Sequence, residues 1–421
     1  MAERLIIDNF AGIKHAEIDL KPINIFIGEH ATGKSVAAKL VYFMKQVPFT
    51  LLIAASQGDL PSRHRDTLQW VFRSYFYRRK GNENPFRIEY YMGDSEPIVI
   101  NYSPTSSDGL RITIPDELRR VARTLRDNSI SLKTKTIRRS YDASIVTAKL
   151  NELMDETFSK VESRYTPTLI SFGSVFIPAI RSFFSQVSEF TFTWIKRGDE
   201  IDRIMLEFGS FYEFARNTII QADWYPVFKD WEILVGGPSY EGGLVSISHK
   251  DGRIIPINFA SSGQQELLPL LMIFALLHRE EGSFKRFVGV EEPEAHVFPT
   301  TQQRIVESCS SIYNRSNKNL QFVITTHSPY ILTSFNNLMQ AGHLDKQGKV
   351  DKTKLNKIVS KELWLDPDNV GAYLFENGTC RSIIDPNRGG LIQAEEIDTV
   401  SEKIANQFEQ LMDLAYEQED I

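Results

Sequence analysis

Apolar and polar positions alternate near the start of the chain, in Leu5-Ile6-Ile7-Asp8-Asn9-Phe10 and again in Ala16-Glu17-Ile18-Asp19-Leu20, with Gly12 between them. That period predicts paired strands joined by a turn. Residues 23–27 form a short, wholly apolar strand that runs into a glycine-containing loop, and apolar spacing over residues 36–46 predicts a helix. Three further runs, Phe86-Arg87-Ile88-Glu89-Tyr90-Tyr91, Pro97-Ile98-Val99-Ile100 and Leu110-Arg111-Ile112-Thr113-Ile114, read as successive antiparallel strands between Gly, Ser and Asp turns. From Pro115 to about Tyr165 the chain turns polar, charged and helical in pattern. Val175-Phe176-Ile177-Pro178-Ala179-Ile180-Arg181 reads as a buried strand, with helices following to about Trp231.

Residues 243–259 predict more alternating strands, which lead through a Ser/Gly turn into an apolar helix over 267–278. Phe287-Val288-Gly289-Val290 and Leu320-Gln321-Phe322-Val323-Ile324-Thr325 are short apolar runs suited to parallel strands covered on both faces. A hairpin is predicted over 370–384 around Asn377-Gly378. The chain closes on an amphipathic helix whose stripe is Ile397, Val400, Ile404, Phe408, Leu411 and Ala415. Packing against the core is the expectation for that stripe, with docking of a partner as its alternative. Strand, loop and helix in this order predict an α/β fold of 421 residues: an N-terminal core part over 1–59, an insertion lobe over 60–170, a second core part over 171–335 and a C-terminal hairpin-and-helix extension over 336–421.

Composition narrows the class. Apolar residues at 42% and charged residues at 24% are ordinary globular usage, which argues against disorder and fibrous architectures. The longest apolar run, 267–277, contains a proline and falls short of the roughly 20 residues that cross a bilayer, and the N-terminus lacks the zones of a signal peptide. The expectation is a cytoplasmic protein without a membrane span. Cys309 and Cys380 stand far apart, without metal-ligand spacing, and are expected to be buried free thiols. The net charge of −6 excludes a uniformly basic surface but not a local basic patch.

Candidate chemistry begins at Gly28-Glu29-His30-Ala31-Thr32-Gly33-Lys34-Ser35, which fits G-x-x-x-x-G-K-[ST] between a predicted strand and a predicted helix. Backbone N–H groups and the positive helix end suit phosphates, the Lys34 ammonium suits β- and γ-oxygens, and the Ser35 hydroxyl suits Mg²⁺. ATP and Mg²⁺ are therefore the expected cofactors. Chance alone yields this pattern in about one or two chains of this length per hundred, so further elements are needed. Glu291-Glu292-Pro293-Glu294-Ala295-His296 ends an apolar strand, where open α/β sheets place their ligands. Glu291 is assigned to the Mg²⁺ shell and Glu292 to the attacking water. Ser261-Ser262-Gly263-Gln264 precedes a helix and offers hydroxyls and free N–H groups to an anion. His327 follows a strand directly, in Thr325-Thr326-His327-Ser328-Pro329.

Taken in order, these motifs resemble those of ABC/SMC-like P-loop ATPases of the RecF, SbcC and overcoming-lysogenization-defect (OLD) type, and especially the small ATPases of phage-defence systems of the PtuA and AriA kind. The resemblance covers residues 1–45 and 255–335, and Asn9-Phe10-Ala11-Gly12-Ile13 and Ile177-Pro178-Ala179-Ile180-Arg181-Ser182 also look like that subgroup. It implies an ABC/SMC-type head with a mixed sheet, an antiparallel β subdomain and a helical insertion. It also makes Ser261, Ser262, Gly263 and Gln264 a signature that reaches the γ-phosphate on a second copy, and His327 a switch histidine sensing that phosphate. A homodimer or larger homo-oligomer then follows. The Ser-Ser-Gly-Gln signature favours the OLD-like branch, as does Glu291 where many relatives carry aspartate. Asp366-Pro367-Asp368 is read as a turn rather than as a nuclease metal site.

Two basic clusters bear on partners. One is Arg119, Arg120, Arg123, Arg126, Lys133, Lys135, Arg138 and Arg139, opposed by Asp127; the other is Arg73-Ser74-Tyr75-Phe76-Tyr77-Arg78-Arg79-Lys80. Each reads as a DNA or RNA surface, as a solvated helix face or as a dock for an acidic partner. The leading expectation is an ATPase whose nucleotide state controls a separate effector protein in anti-phage defence. The alternative is a repair or recombination ATPase that clamps nucleic acid on the basic insertion. A transporter's nucleotide-binding subunit fits less well, given the insertion and the signature.

Overall fold

Strands that are apolar at every position belong where both faces of a sheet are covered. β3 (Ile23–Ile27), β11 (Arg286–Glu291) and β12 (Leu320–Thr326) meet that condition, being buried along almost their whole length. With β7 (Val175–Ile177) and β13 (Val370–Glu376) they form a parallel half-sheet in the order β13-β3-β12-β11-β7. The registers Ile25↔Ile324 and Val290↔Ile324 align the strand ends that carry the candidate motifs. A computed structural model describes residues 3–59, 61–76, 84–104, 109–139, 149, 152–154, 156–157, 174–186, 202–221, 238–241, 244–248, 251–279, 286–393 and 406–411.

The other half of the sheet is antiparallel, with β1 (Glu3–Phe10), β2 (Ile13–Leu20), β4 (Phe86–Met92), β5 (Ile98–Tyr102) and β6 (Leu110–Thr113) in the order β6-β5-β4-β1-β2. Alternating burial in β1 and β4 marks one covered face. The halves meet at β14 (Thr379–Ser382), antiparallel to β13 and parallel to β2, which makes one eleven-stranded mixed sheet. The β13–β14 hairpin, turned at Asn377 and Gly378 with positive φ, thus lies inside the sheet rather than beyond it. Lys14 N–H donates to the Gly378 carbonyl at 2.7 Å, while the Tyr373 hydroxyl accepts from Asp19 N–H and donates to the Asp19 carbonyl. The strands read at 86–114 likewise continue the sheet from the edge of β1.

Helices cover both faces. α1 (Lys34–Gln57), α2 (Pro61–Tyr75) and α3 (Asp116–Arg139) share one core with Phe26, Phe287 and Val323. On the other side α5 (Arg203–Gln221), α6 (Ser262–Arg279), α7 (Pro299–Arg315) and α8 (Pro329–Gln347) share a core with Ile25, Val288 and Ile324. The neighbours in sequence go to opposite faces, as the strand period requires. Short helices α4 (Ser182–Gln186) and α9 (Lys352–Ile358), a small sheet of β8 (Pro238–Glu241), β9 (Leu244–Ser248) and β10 (Ile254–Pro256), and the pair β15 (Ile384–Asp385) and β16 (Leu391–Ile392) complete the described elements.

Several expectations need correction. α1 runs well past 36–46 and through Pro48, because Val47, Leu51, Leu52 and Ala55 are buried and packing outweighs the bond that proline removes. By length and composition α1 is the one described helix able to cross a membrane, yet 67% of its most apolar stretch is buried within the fold, as in a core helix. The strand read at 175–181 ends at Ile177, where Pro178 follows, and the run at 257–259 is a 3-10 turn. Cys309 is buried, whereas Cys380 on β14 is only partly covered. Of the tail helix only residues 406–411 are described, and there Phe408 and Leu411 are 64% and 65% exposed, so the expected packing of the stripe does not hold for them.

The basic clusters also change meaning. Arg126 Nε donates to the Gly58 carbonyl at 3.3 Å, and Lys133 Nζ to the Ser56 and Gln57 carbonyls at 3.2 Å each. These cations cap the negative end of α1. Arg119 pairs with Asp116, a partner the sequence reading did not count. In the second cluster Tyr75 and Phe76 are buried among Phe10, Phe43 and Phe72, so they are core rings rather than a stacking platform. Residues 77–80, and the side chains of Lys135, Arg138 and Arg139, lie outside the described set.

One buried ion pair ties α1 to the first strand. Lys45 Nζ lies 2.8 Å from Glu3 Oε2, and the Tyr90 hydroxyl donates to Glu3 Oε1 at 2.5 Å. Burial pulls the Lys45 ammonium below its ordinary range, with Glu3 opposing the shift. Lys45→Met should strand the Glu3 carboxylate and lower stability by roughly 3–5 kcal/mol, whereas Glu3→Gln combined with Lys45→Met should recover most of the loss. Urea unfolding midpoints read the difference, and a Lys45→Met protein as stable as the parent would contradict it.

Candidate functional site

The parallel strands β3, β11 and β12 deliver three loops to one end of the sheet. The loop after β3 turns through Gly28 and Gly33, at φ 149° and 103°. A Cβ at Gly28 would stand 2.2 Å from the Phe375 carbonyl oxygen, and one at Gly33 2.5 Å from Ile13, so both positions need glycine for space as well as for backbone. Thr32 Oγ1 donates to the Glu29 carbonyl at 2.9 Å and closes the loop from within. Lys34, first residue of α1, bends back so that Nζ donates to the Gly28 and Glu29 carbonyls at 2.8 and 2.6 Å. Burial pushes the Lys34 ammonium down to about 8, against the fields of Glu292 and Glu294. A buried cation resting on loop carbonyls is ready to exchange them for anionic oxygens.

Ser35 stands close enough to the Glu291 carboxylate to favour its charged form. Glu291 is 6% exposed, and burial raises it above the usual carboxylate range while the Lys39 charge works in the opposite direction. A hydroxyl beside a carboxylate is the hard oxygen donor set that Mg²⁺ takes, with water and phosphate oxygens supplying the remainder. The residues therefore fit the ion.

Glu292 occupies φ 42°, a conformation side-chain-bearing residues rarely adopt, and its Oε1 lies 3.1 Å from His327 Nε2. Burial first, and then the Lys34 charge, holds the His327 imidazole below its ordinary value. A neutral imidazole beside a carboxylate donates through Nε2–H, fixing that tautomer. The His30 ring lies against His327 with centroids 3.8 Å apart and the ring planes tilted by 34°. Thus Gly28, Glu29, His30, Ala31, Thr32, Gly33, Lys34, Ser35, Glu291, Glu292 and His327 come together at the ends of three strands.

Ser261, Ser262, Gly263 and Gln264 open α6. Ser261 N–H and Oγ both donate to Gln264 Oε1 at 3.1 Å, and Gln264 N–H donates back to Ser261 Oγ at 3.4 Å. This is a reciprocal cap on the helix. It leaves the exposed Ser262 at a positive helix end facing outward.

Three residues went without a role in the sequence reading. Glu294 Oε1 accepts from Thr326 Oγ1 at 2.8 Å and from His327 N–H at 2.6 Å, which fixes the histidine's backbone. Burial raises the Glu294 carboxyl as well. Arg181, 1% exposed, donates from Nη1 to the Glu291 carbonyl at 2.7 Å and from Nη2 to the Glu292 carbonyl at 3.2 Å. Its partner is Glu266 of α6, 3.5 Å from Nε. An arginine closing the apolar run 175–180, and a third carboxylate in Glu291-Glu292-Pro293-Glu294, were the available signals. Asp366 caps a short turn at Asp368 N–H, and both acids pair with Lys346.

A family model described as an AAA ATPase domain matches residues 100–332, a span that contains the α6 turn, the Glu291–Glu292 pair and His327. Among solved structures, the SMC head domain from Thermotoga maritima is similar at 12% identity with a TM-score of 0.37, over 91% of this chain and 98% of that one. The Smc head domain with an extended coiled coil bound to the C-terminal domain of ScpA, derived from Pyrococcus furiosus, is similar at 12% identity with a TM-score of 0.36, over 96% and 99%. Since the family match spans more than half of the 421 residues, the chain belongs to the AAA ATPase domain family.

Proposed function

We propose that this chain binds and hydrolyses ATP with Mg²⁺, pairs with a second copy through a shared ATP site, and thereby controls a separate effector protein in prokaryotic anti-phage defence. One observation supports the pairing above others: large apolar residues close in sequence to the site motifs, the exposed Ser262 turn included, are left uncovered. Ile180, Phe259, Phe298 and Tyr330 are 65%, 77%, 74% and 55% exposed, and each stands within a few residues of a site motif. Uncovered apolar side chains next to the site motifs in sequence, together with an exposed helix N-terminus, suit a nucleotide-bound copy of the same chain.

Within that reading Lys34 and the loop N–H groups hold the phosphates, and Ser35 and Glu291 hold Mg²⁺, which would neutralise charge on the β- and γ-phosphates. Glu292 accepts a proton from the attacking water while His327 holds its carboxylate in place. Phage defence rests on the motif resemblance alone. The DNA-clamp alternative now depends, among described side chains, on the exposed Arg120 and Arg123, since Arg126 and Lys133 cap α1.

Glu292→Gln should lower kcat by about 10²–10⁴-fold and retain ATP binding, so that ATP with Mg²⁺ accumulates a dimer or larger assembly seen by light scattering. A monomer in every nucleotide state, in parent and variant alike, would refute the shared site. Salt-dependent DNA binding that disappears with Arg120→Glu and Arg123→Glu would favour the clamp over effector control.

Lys34 gives a pH dependence. Its free-site pKa is about 8, and a triphosphate favours the charged ammonium, so bound Lys34 titrates higher. ATP affinity should be full below pH 8 and weaken about tenfold per unit above it, with net proton uptake on binding. Calorimetry in buffers of different ionisation enthalpy measures the uptake; none at pH 8 to 9 would exclude this role.

A further inference from the structure

Arg181 joins two parts of the site that the proposed function treats separately. Its backbone N–H donates to Glu266 Oε2 at 3.0 Å and its Nε to the Glu266 carbonyl at 3.1 Å, so it grips the first turn of α6 by side chain and main chain. Its Nη1 reaches the Pro178 and Glu291 carbonyls, and its Nη2 the Glu292 carbonyl. Ser182 Oγ donates to Glu266 Oε1 at 2.6 Å and holds the other oxygen of the same carboxylate. A planar guanidinium has donors in a fixed fork, so these partners move with it as one body.

Two further contacts make the linkage stiff. A Cβ at Gly263 would stand 2.7 Å from the His296 carbonyl oxygen, so the start of α6 lies directly against the turn that follows Glu292. Glu292 itself sits at φ 42°, with its N–H donating to the Thr325 carbonyl at 2.9 Å and its carbonyl accepting from Ala295 N–H at 3.0 Å. From that held backbone its carboxylate lies 3.1 Å from His327 Nε2.

We infer that Arg181 is a positioning residue that transmits occupancy of the α6 N-terminus to the Glu292 carboxylate, so that hydrolysis in one copy awaits an anion seated on its own Ser262 turn. The inference rests on the shared-site reading. An anion drawn onto the Ser262 turn shifts the first turn of α6; Glu266 carries the shift to Arg181, and Arg181 carries it to the carbonyls of Glu291 and Glu292. The anion is the terminal phosphate of a nucleotide held by the second copy. Each site in a pair would then fire only when its neighbour is loaded.

The experiment uses Arg181→Lys, which keeps the charge but cannot span the two carbonyls and Glu266, alone and combined with Ser262→Ala. Arg181→Lys should bind ATP within about twofold of the parent and lose kcat by about 100-fold, since small displacements of a reacting group cost that much. Once the linkage is cut, adding Ser262→Ala should lower kcat no further, although it does so in the parent. Should Arg181→Lys melt early, Arg181→Met with Glu266→Gln leaves the net charge of the buried site unchanged and should show the same split between retained affinity and lost kcat. Full kcat in either folded variant, or losses from Arg181→Lys and Ser262→Ala that simply multiply, would overturn the inference. A parent protein that shows no nucleotide-dependent assembly would instead remove the shared site beneath it.

Discussion

Four carboxylates, Glu266, Glu291, Glu292 and Glu294, gather around one buried guanidinium, and the charge of each acts on Arg181. Such a gathering is unfavourable unless cations and N–H donors occupy the same space. Burial depresses Arg181 below its ordinary range, and the carboxylates, Glu266 foremost, counter that shift. Lys34 and Lys39 supply the other positive charge at the strand ends. Much of the local architecture follows from this requirement. β7 delivers Arg181 from the edge of the parallel half-sheet, α6 brings Glu266 from one core, and α1 brings the lysines from the other.

The sheet is arranged so that these deliveries keep register. β3, β12 and β11 are adjacent and parallel, so the phosphate loop, His327 and the carboxylate pair emerge side by side. The two halves are joined through the β13–β14 hairpin, whose Phe375 carbonyl closes over Gly28. A segment remote in sequence thus walls the phosphate loop. The Lys45–Glu3 pair performs a similar task behind the loop, anchoring the helix that begins at Lys34 to the first strand.

How much of this was legible in the sequence depends on how local each cause is. The phosphate loop, the carboxylate pair and the histidine announce themselves because each is a short motif at the end of an apolar strand, and the Asn377-Gly378 turn carries its own backbone demand. The extent of α1 was hidden, since Pro48 speaks against continuation and only burial against the sheet overrules it. The destination of the hairpin was hidden for a related reason: strand pairing across the whole chain is a tertiary choice. Charge patterning misled most at Arg126 and Lys133, which sit in a run of cations that looks like a surface but cap carbonyls 68 and 77 residues earlier in the sequence, at the end of α1. Arg181 was quoted without a role because nothing local distinguishes a buried arginine from an exposed one.

Glu292 brings these threads together. A side-chain-bearing residue at positive φ costs on the order of 1–3 kcal/mol, so it persists only where its surroundings hold it. Its N–H is held by β12, its carbonyl by Ala295 and Arg181, and its carboxylate by His327, whose own backbone is fixed by Glu294. The restraints come from β12 and the histidine that follows it, from the turn that contains Glu292 itself, and from Arg181 beyond β7. A residue held in this way reports the relative placement of its holders. On the proposed linkage, a shift of β12, β7 or, through Glu266 and Arg181, the first turn of α6 would change where the carboxylate points. That property is what the proposed shared site would require: a Glu292 carboxylate set by parts that a second copy of the chain can press on.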